Sequence, residues 1–183
     1  MADYFGSVLK NEIVIGKLYT VHYFEFSSDY RFTGERHNFW EFVYIDKGEV
    51  NVICDNESHM LKQGDAIFHK PDEWHNIHAN GVTAPNVVIV SFECKSPAME
   101  FFKDKILKVG QNQKTIISKI ISEYTNAFAT PFNDLYTNKL VRKQNPLIGA
   151  EQLLKMYLSE LLISFMRNDI ADSQHSMISV NNA

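Results

Sequence analysis

Cysteine is nearly missing from this sequence: Cys54 and Cys94 are the whole complement among 183 residues. Two thiols inside apparent strands build no disulfide framework, and there is no CxxC pair. Free thiols in a reducing compartment are the direct reading, which makes the cytoplasm the expected location. The start, Met1-Ala2-Asp3-Tyr4-Phe5, lacks the basic and apolar stretches of a signal peptide. No apolar run approaches the roughly 18 residues that a membrane-spanning helix needs. Positive charge is also scarce. Lys and Arg number 18 against 22 Asp and Glu, a net charge of −4. A polyphosphate backbone would meet no electrostatic footprint, so direct nucleic-acid binding by this chain is not expected. GxSxG, P-loop and GxGxxG patterns are absent as well.

Aromatics are plentiful, with 13 Phe and 8 Tyr, and they point to packed sheets. Residues 13–26 are rich in Val, Ile, Tyr and Phe. Residues 41–46 and 49–55 flank Lys47-Gly48 and read as a hairpin. Short strands follow at 66–69, 75–79 and 86–94, punctuated by Gly64-Asp65, Pro71-Asp72, Asn80-Gly81 and Ala84-Pro85. Many short strands at close spacing predict an antiparallel sandwich or barrel over residues 1–94.

Beyond Cys94 the period becomes helical. Residues 114–128 place Ile116, Ile117, Ile120, Ile121, Tyr124, Ala127 and Phe128 on one side and polar residues on the other. That helix is the expected cover for Trp40, Phe42 and Tyr44, which share the outward parity of their strand. A second helix over 147–167 carries the stripe Leu154, Tyr157, Leu158, Leu161 and Phe165, with Met156, Leu162, Ile163 and Met166 away from it. A helix apolar on more than one side must bury more than one side, and a second copy of the chain is the expected cover. The first helix within one monomer is the competing cover. Residues 168–183 are polar and read as a linker or tail.

Two segments carry candidate chemistry. In Glu35-Arg36-His37-Asn38-Phe39-Trp40-Glu41, His37 is followed by three residues, Glu41, six residues and Gly48. In the second, ten residues separate Gly64 from His75. This spacing resembles the paired motifs of the cupin superfamily, a small jelly-roll β-barrel. The resemblance puts His37, Glu41 and His75 in one barrel mouth, with Glu35 where the family's first His usually stands. Strand alternation would turn Glu35, His37, Phe39 and Glu41 to one face. Two imidazoles and two carboxylates suit a divalent transition metal such as Mn, Fe, Ni or Zn. The same groups would serve a small organic ligand without metal, or simply hold the fold. Trp74 at the mouth could stack on a sugar, and Arg31 or Arg36 could pair with a ligand carboxylate or phosphate. His69 and His78 read as surface or packing residues, and His22, His59 and His175 sit in no motif.

A third stretch, Ile148 to Arg167, resembles the dimerisation helix that precedes the linker of AraC-type transcription regulators. The barrel, two helices and a polar tail together resemble that family's sensing and dimerisation half. The resemblance implies a homodimer that takes a small-molecule effector of the sugar or small-acid class, with DNA bound only by the whole regulator. Nothing after Arg167 is long enough for a helix-turn-helix unit, so a sensor fragment or truncated relative is expected. A metal-dependent cupin enzyme, dioxygenase or isomerase, is the alternative. A bare dimerisation module with a vestigial pocket is the third reading.

Overall fold

The computed structural model describes residues 3–181, with side chains described as far as Asp169. Eight strands fill the first half: β1 (Ile15–Glu25), β2 (Glu35–Arg36), β3 (Trp40–Lys47), β4 (Glu49–Cys54), β5 (Glu57–Lys62), β6 (Asp65–His69), β7 (Trp74–Ala79) and β8 (Asn86–Cys94). A 3₁₀ turn (Pro97–Phe102), β9 (Ile106–Lys108), α1 (Gln111–Ala127) and α2 (Ala150–Asn181) follow. The strands form two antiparallel sheets in the orders β1-β8-β3-β6-β9 and β2-β7-β4-β5. This is the jelly-roll sandwich expected, with two helices after it.

Alternation along the strands separates two cores. Val43, Ile45, Val50, Val52, Leu61, Ile67, Ile77 and Val87 fill the space between the sheets. Phe42, Tyr44, Phe68, Val88, Val90 and Phe92 face the other way, into a core shared with both helices. The outward aromatic row is therefore covered, as its parity requires. The cover is not α1 alone: the Phe165 ring of α2 lies 6.2 Å from Phe42 and 6.1 Å from Phe68.

Three expectations are corrected. Lys47-Gly48 is not a hairpin, because β3 pairs with β6 and β8 while β4 pairs with β5 and β7. The turn instead carries the chain from one sheet to the other. Gly48 takes φ +77°, and a Cβ there would stand 3.1 Å from the Pro85 Cα. The true hairpin joins β4 to β5 across Asp55-Asn56, with Asp55 at φ 48°. Polar β5, with its exposed Glu57, Ser58 and Lys62, shows too little alternation to be read.

The second correction concerns the stripe expected to pair two copies. Leu154, Leu158, Leu161 and Phe165 are at most 3% exposed in a single chain. They pack on α1 and the five-stranded sheet, and Tyr157 lies partly buried against the same core. The monomer's own helix thus supplies the cover assigned to a partner. Leu162 is buried too, whereas Met156 is 56% exposed. Third, the segment from Asn168 read as a linker is drawn into α2, which runs to Asn181.

Candidate functional site

The four motif residues converge, but not as one strand face. Glu35 belongs to β2 in the four-stranded sheet and pairs with His75 of β7. Glu41 belongs to β3 in the five-stranded sheet and pairs with His69 of β6. His37 lies in the crossover between the sheets. The site is therefore closed by two sheets meeting at one end of the barrel.

Each imidazole is held by its far nitrogen. His37 donates from Nδ1 to the Phe39 carbonyl at 3.0 Å, and His75 from Nδ1 to the Glu73 carbonyl at 3.1 Å. A carbonyl only accepts, so in the neutral form both rings carry their proton on Nδ1 and present a bare Nε2. Both Nε2 atoms are buried without a hydrogen-bond partner. His37 Nε2 lies 3.6 Å from Glu41, and His75 Nε2 lies 3.5 Å from Glu41 and 3.9 Å from Glu35. All four ligand atoms fall within 4.8 Å of one another. These gaps are long for hydrogen bonds, yet they suit donors sharing an ion at about 2.0–2.2 Å. Backbone carbonyls on Nδ1 with bare Nε2 atoms are the usual outer support of metal-binding histidines. The residues present fit a divalent cation, which His37, Glu41 and His75 would hold with Glu35 at the rim.

The carboxylates differ. Burial would raise Glu41, but His37 and His75 outweigh it and hold the group well below the usual carboxylate range. Burial and the charge of Glu41 raise Glu35, whose side chain is half exposed. Burial opposes the charge on His75, yet Glu41 lifts its pKa above the ordinary value. Ser91 donates to Glu41 at 2.8 Å, and Thr20 donates to Ser91 at 2.8 Å. This chain fixes the rotamer of Glu41. Ser91 escaped the sequence reading, although it shares the inward parity of Val87 and Ile89 on β8.

Two candidates leave the site. Trp74 of β7 pairs with Arg36 of β2 and takes the opposite face from His75. Its ring covers Gly34, where a Cβ would fall 2.4 Å from Trp74 Cζ2. Arg31 is exposed and bridges His78, so it shares the outer face as well. His78 itself bonds the Phe32 carbonyl and is a packing residue, as expected. His69 is not a surface residue. It is 1% exposed, stacks on His75 with centroids 4.1 Å apart and bonds Glu73. Its shared parity with inward-facing Ile67 was the signal available. Burial and the nearby Glu73 carboxylate push the Cys54 thiol up to about 12, so the thiol stays protonated at neutral pH.

Fold and site together define a cupin-type barrel with a His/Glu mouth. Residues 18–94 match the family model described as the AraC-like ligand binding domain. No curated protein sequence matches the chain. Among solved structures it is similar to apo ToxT from Vibrio cholerae at 10% identity, covering 82% of this chain and 54% of that one, with TM-score 0.49. The Schizosaccharomyces pombe Cnp3 cupin domain gives 12% identity over 48% of this chain and 59% of that one, with TM-score 0.40. A cupin 2 conserved barrel protein from Rhodopseudomonas palustris gives 21% identity over 52% and 61%, with TM-score 0.35. The chain thus spans little more than half the length of ToxT. No described helix is long and apolar enough to cross a membrane.

Proposed function

We propose that this chain is the effector-sensing part of an AraC-type transcription regulator, and that it takes its effector at the barrel mouth. The observation that carries this reading is the pair of buried, unpartnered Nε2 atoms facing Glu41 in a barrel that matches the ligand-binding family model. His37, Glu41 and His75 hold a divalent cation, and Glu35 lies at the solvent side where an incoming ligand arrives. The cation supplies a coordination position for a hydroxyl or carboxylate oxygen of a sugar or small acid. Effector binding favours one packing of the barrel on the helices, and α2 passes that bias onward. In the whole regulator, a homodimer would relay it to DNA-binding units. On α2 the exposed Met156 remains for such a contact.

The same four side chains would also serve a metal-dependent enzyme. The helices favour the sensor: α1 and α2 share one core with the sheet, a route for coupling that a minimal cupin enzyme does not need. Metal analysis of the purified chain, followed by thermal-shift screening with sugars and small acids, tests the reading. Stabilisation by one ligand class, lost in His75→Ala, supports it, since a native-state ligand raises stability. Turnover of such a ligand, or no response to metal or ligand, overturns it.

A further inference from the structure

A second constellation lies beside the first. Cys54 ends β4, His69 ends β6, and Glu73 closes the turn into β7. The register explains why they meet: Cys54 is the cross-strand partner of His75, and His69 that of Glu41. The two rungs that build the mouth site therefore carry these residues too. Cys54 Sγ lies 3.6 Å from His69 Nδ1, which lies 2.9 Å from Glu73 Oε2. One atom from each residue falls within 4.8 Å of the others. In a tetrahedral Zn²⁺ site with bonds of about 2.0–2.3 Å, neighbouring donors stand roughly 3.3–3.6 Å apart. The Cys54–His69 edge already has this length, and the His69–Glu73 edge would open to reach it.

The surroundings suit an ion. Lys70 holds the other carboxylate oxygen of Glu73 at 3.2 Å, leaving Oε2 to face the triangle. Lys70 is itself balanced by Asp104. One thiolate and one carboxylate would neutralise a dication. A 280 Å³ cavity lined by Cys54, Glu73, Lys70, Asp104 and His59 adjoins the cluster and gives it a path and room for a fourth donor. A purely supportive His69–Glu73–Lys70 network would account for the carboxylate but makes no use of the thiol.

We propose that Cys54, His69 and Glu73 form a second metal site, for a thiophilic divalent cation such as Zn²⁺, separated from the mouth site by the stacked rings of His69 and His75. Binding releases the Cys54 proton to solvent and moves the His69 imidazole proton from Nδ1 to Nε2, leaving water as the fourth ligand on the cavity side. The site is independent of the proposed effector site, whose donors are only nitrogen and oxygen.

Cobalt separates the two, because only a sulfur donor gives a near-ultraviolet thiolate-to-Co²⁺ charge-transfer band. The chelator-treated chain is titrated with Co²⁺ and followed by absorbance and by bound-metal count. The expected result is that band, saturating with one equivalent and displaced by Zn²⁺. Cys54→Ser should abolish the band and lose one equivalent, Cys94→Ser should keep both, and His37→Ala should keep the band. Circular dichroism confirms that each variant is folded. Should Cys54→Ser fail to fold, protection of Cys54 from alkylation by Zn²⁺ in the unaltered chain replaces it. No band, a band that survives Cys54→Ser, or alkylation unaffected by Zn²⁺ would overturn the proposal. A band without a second, nitrogen-and-oxygen equivalent would instead count against the metal-bound mouth.

Discussion

His75 is buried and yet holds its proton more tightly than a free imidazole, because Glu41 offsets the cost of burial. The folded chain then binds that proton better than the unfolded one. The resulting stability is complete below the ordinary value of 6.5 and is lost as pH rises through the raised value. In metal-free protein, the unfolding free energy of the unaltered chain minus that of His75→Gln should be largest near pH 6 and shrink on the alkaline side. Urea denaturation at stepped pH measures it, and a difference that grows with pH would contradict the assignment. Glu41 behaves oppositely: its depressed pKa adds stability above the ordinary 4.5 that disappears as pH falls. Metal needs the neutral imidazole, so cation binding should weaken in acid. Ser91 donates to Glu41 and would act on a bound ion only through it. Ser91→Ala should weaken binding of a divalent ion about 10- to 100-fold while leaving the fold intact, as removal of an outer-shell partner does. Isothermal titration with Mn²⁺ or Ni²⁺ reads this directly. The convergence of His37, Glu41 and His75 was legible because motif spacing survives in one dimension. Ser91 and His69 were not picked out, because their importance comes from cross-strand register with Glu41.

Within α2, the apolar stripe is an internal device. Leu158 is fully buried between α1 and the sheet, so Leu158→Ala removes packing from one chain. A cost of about 2–5 kcal/mol is expected. It should appear in chemical denaturation as a concentration-independent loss, whereas an interface residue would give a loss that depends on protein concentration. The sequence exposed this stripe correctly and assigned it the wrong partner. Helical periodicity says that a face must be covered, and nothing in it says by what. The same limit explains Lys47-Gly48. A turn signal between two strands is legible, but whether the strands pair or part into opposite sheets depends on register with β6, β7 and β8. The motif strand shows it again. Alternation from Glu35 to Glu41 was read as one face, whereas the chain changes sheet at His37. The four residues still converge, because the two sheets close on each other at that point.

At the scale of the whole molecule, barrel and helices share one core, so packed side chains connect the sheet that carries Glu41 to α2. Phe42 and Phe68 pack near Phe165 of α2 from one face of the sheet, while Glu41 faces the mouth from the other. The order of barrel, then helices, was legible from the change of period after Cys94. This connection was not, since it depends on which aromatic rings meet. The surface is a different matter, because net charge needs no fold to be read. With 18 basic and 22 acidic residues the chain carries −4. Arg36 and Arg142 are engaged with Asp55 and Glu151, and Lys70, Lys103 and Lys108 with other carboxylates. Binding to duplex DNA draws its sequence-independent affinity from cations placed against phosphates. Cations already paired with carboxylates on a net-negative surface supply little of it. Among the described residues there are only two α-helices, and both bury a face in the core shared with the sheet, so neither offers the paired geometry of a helix-turn-helix unit. The chain alone should therefore leave a short duplex unshifted at micromolar protein and about 0.15 M salt. Fluorescence anisotropy across a salt series checks this. Sub-micromolar binding that weakens steeply with salt would show a cationic surface that the fold does not display.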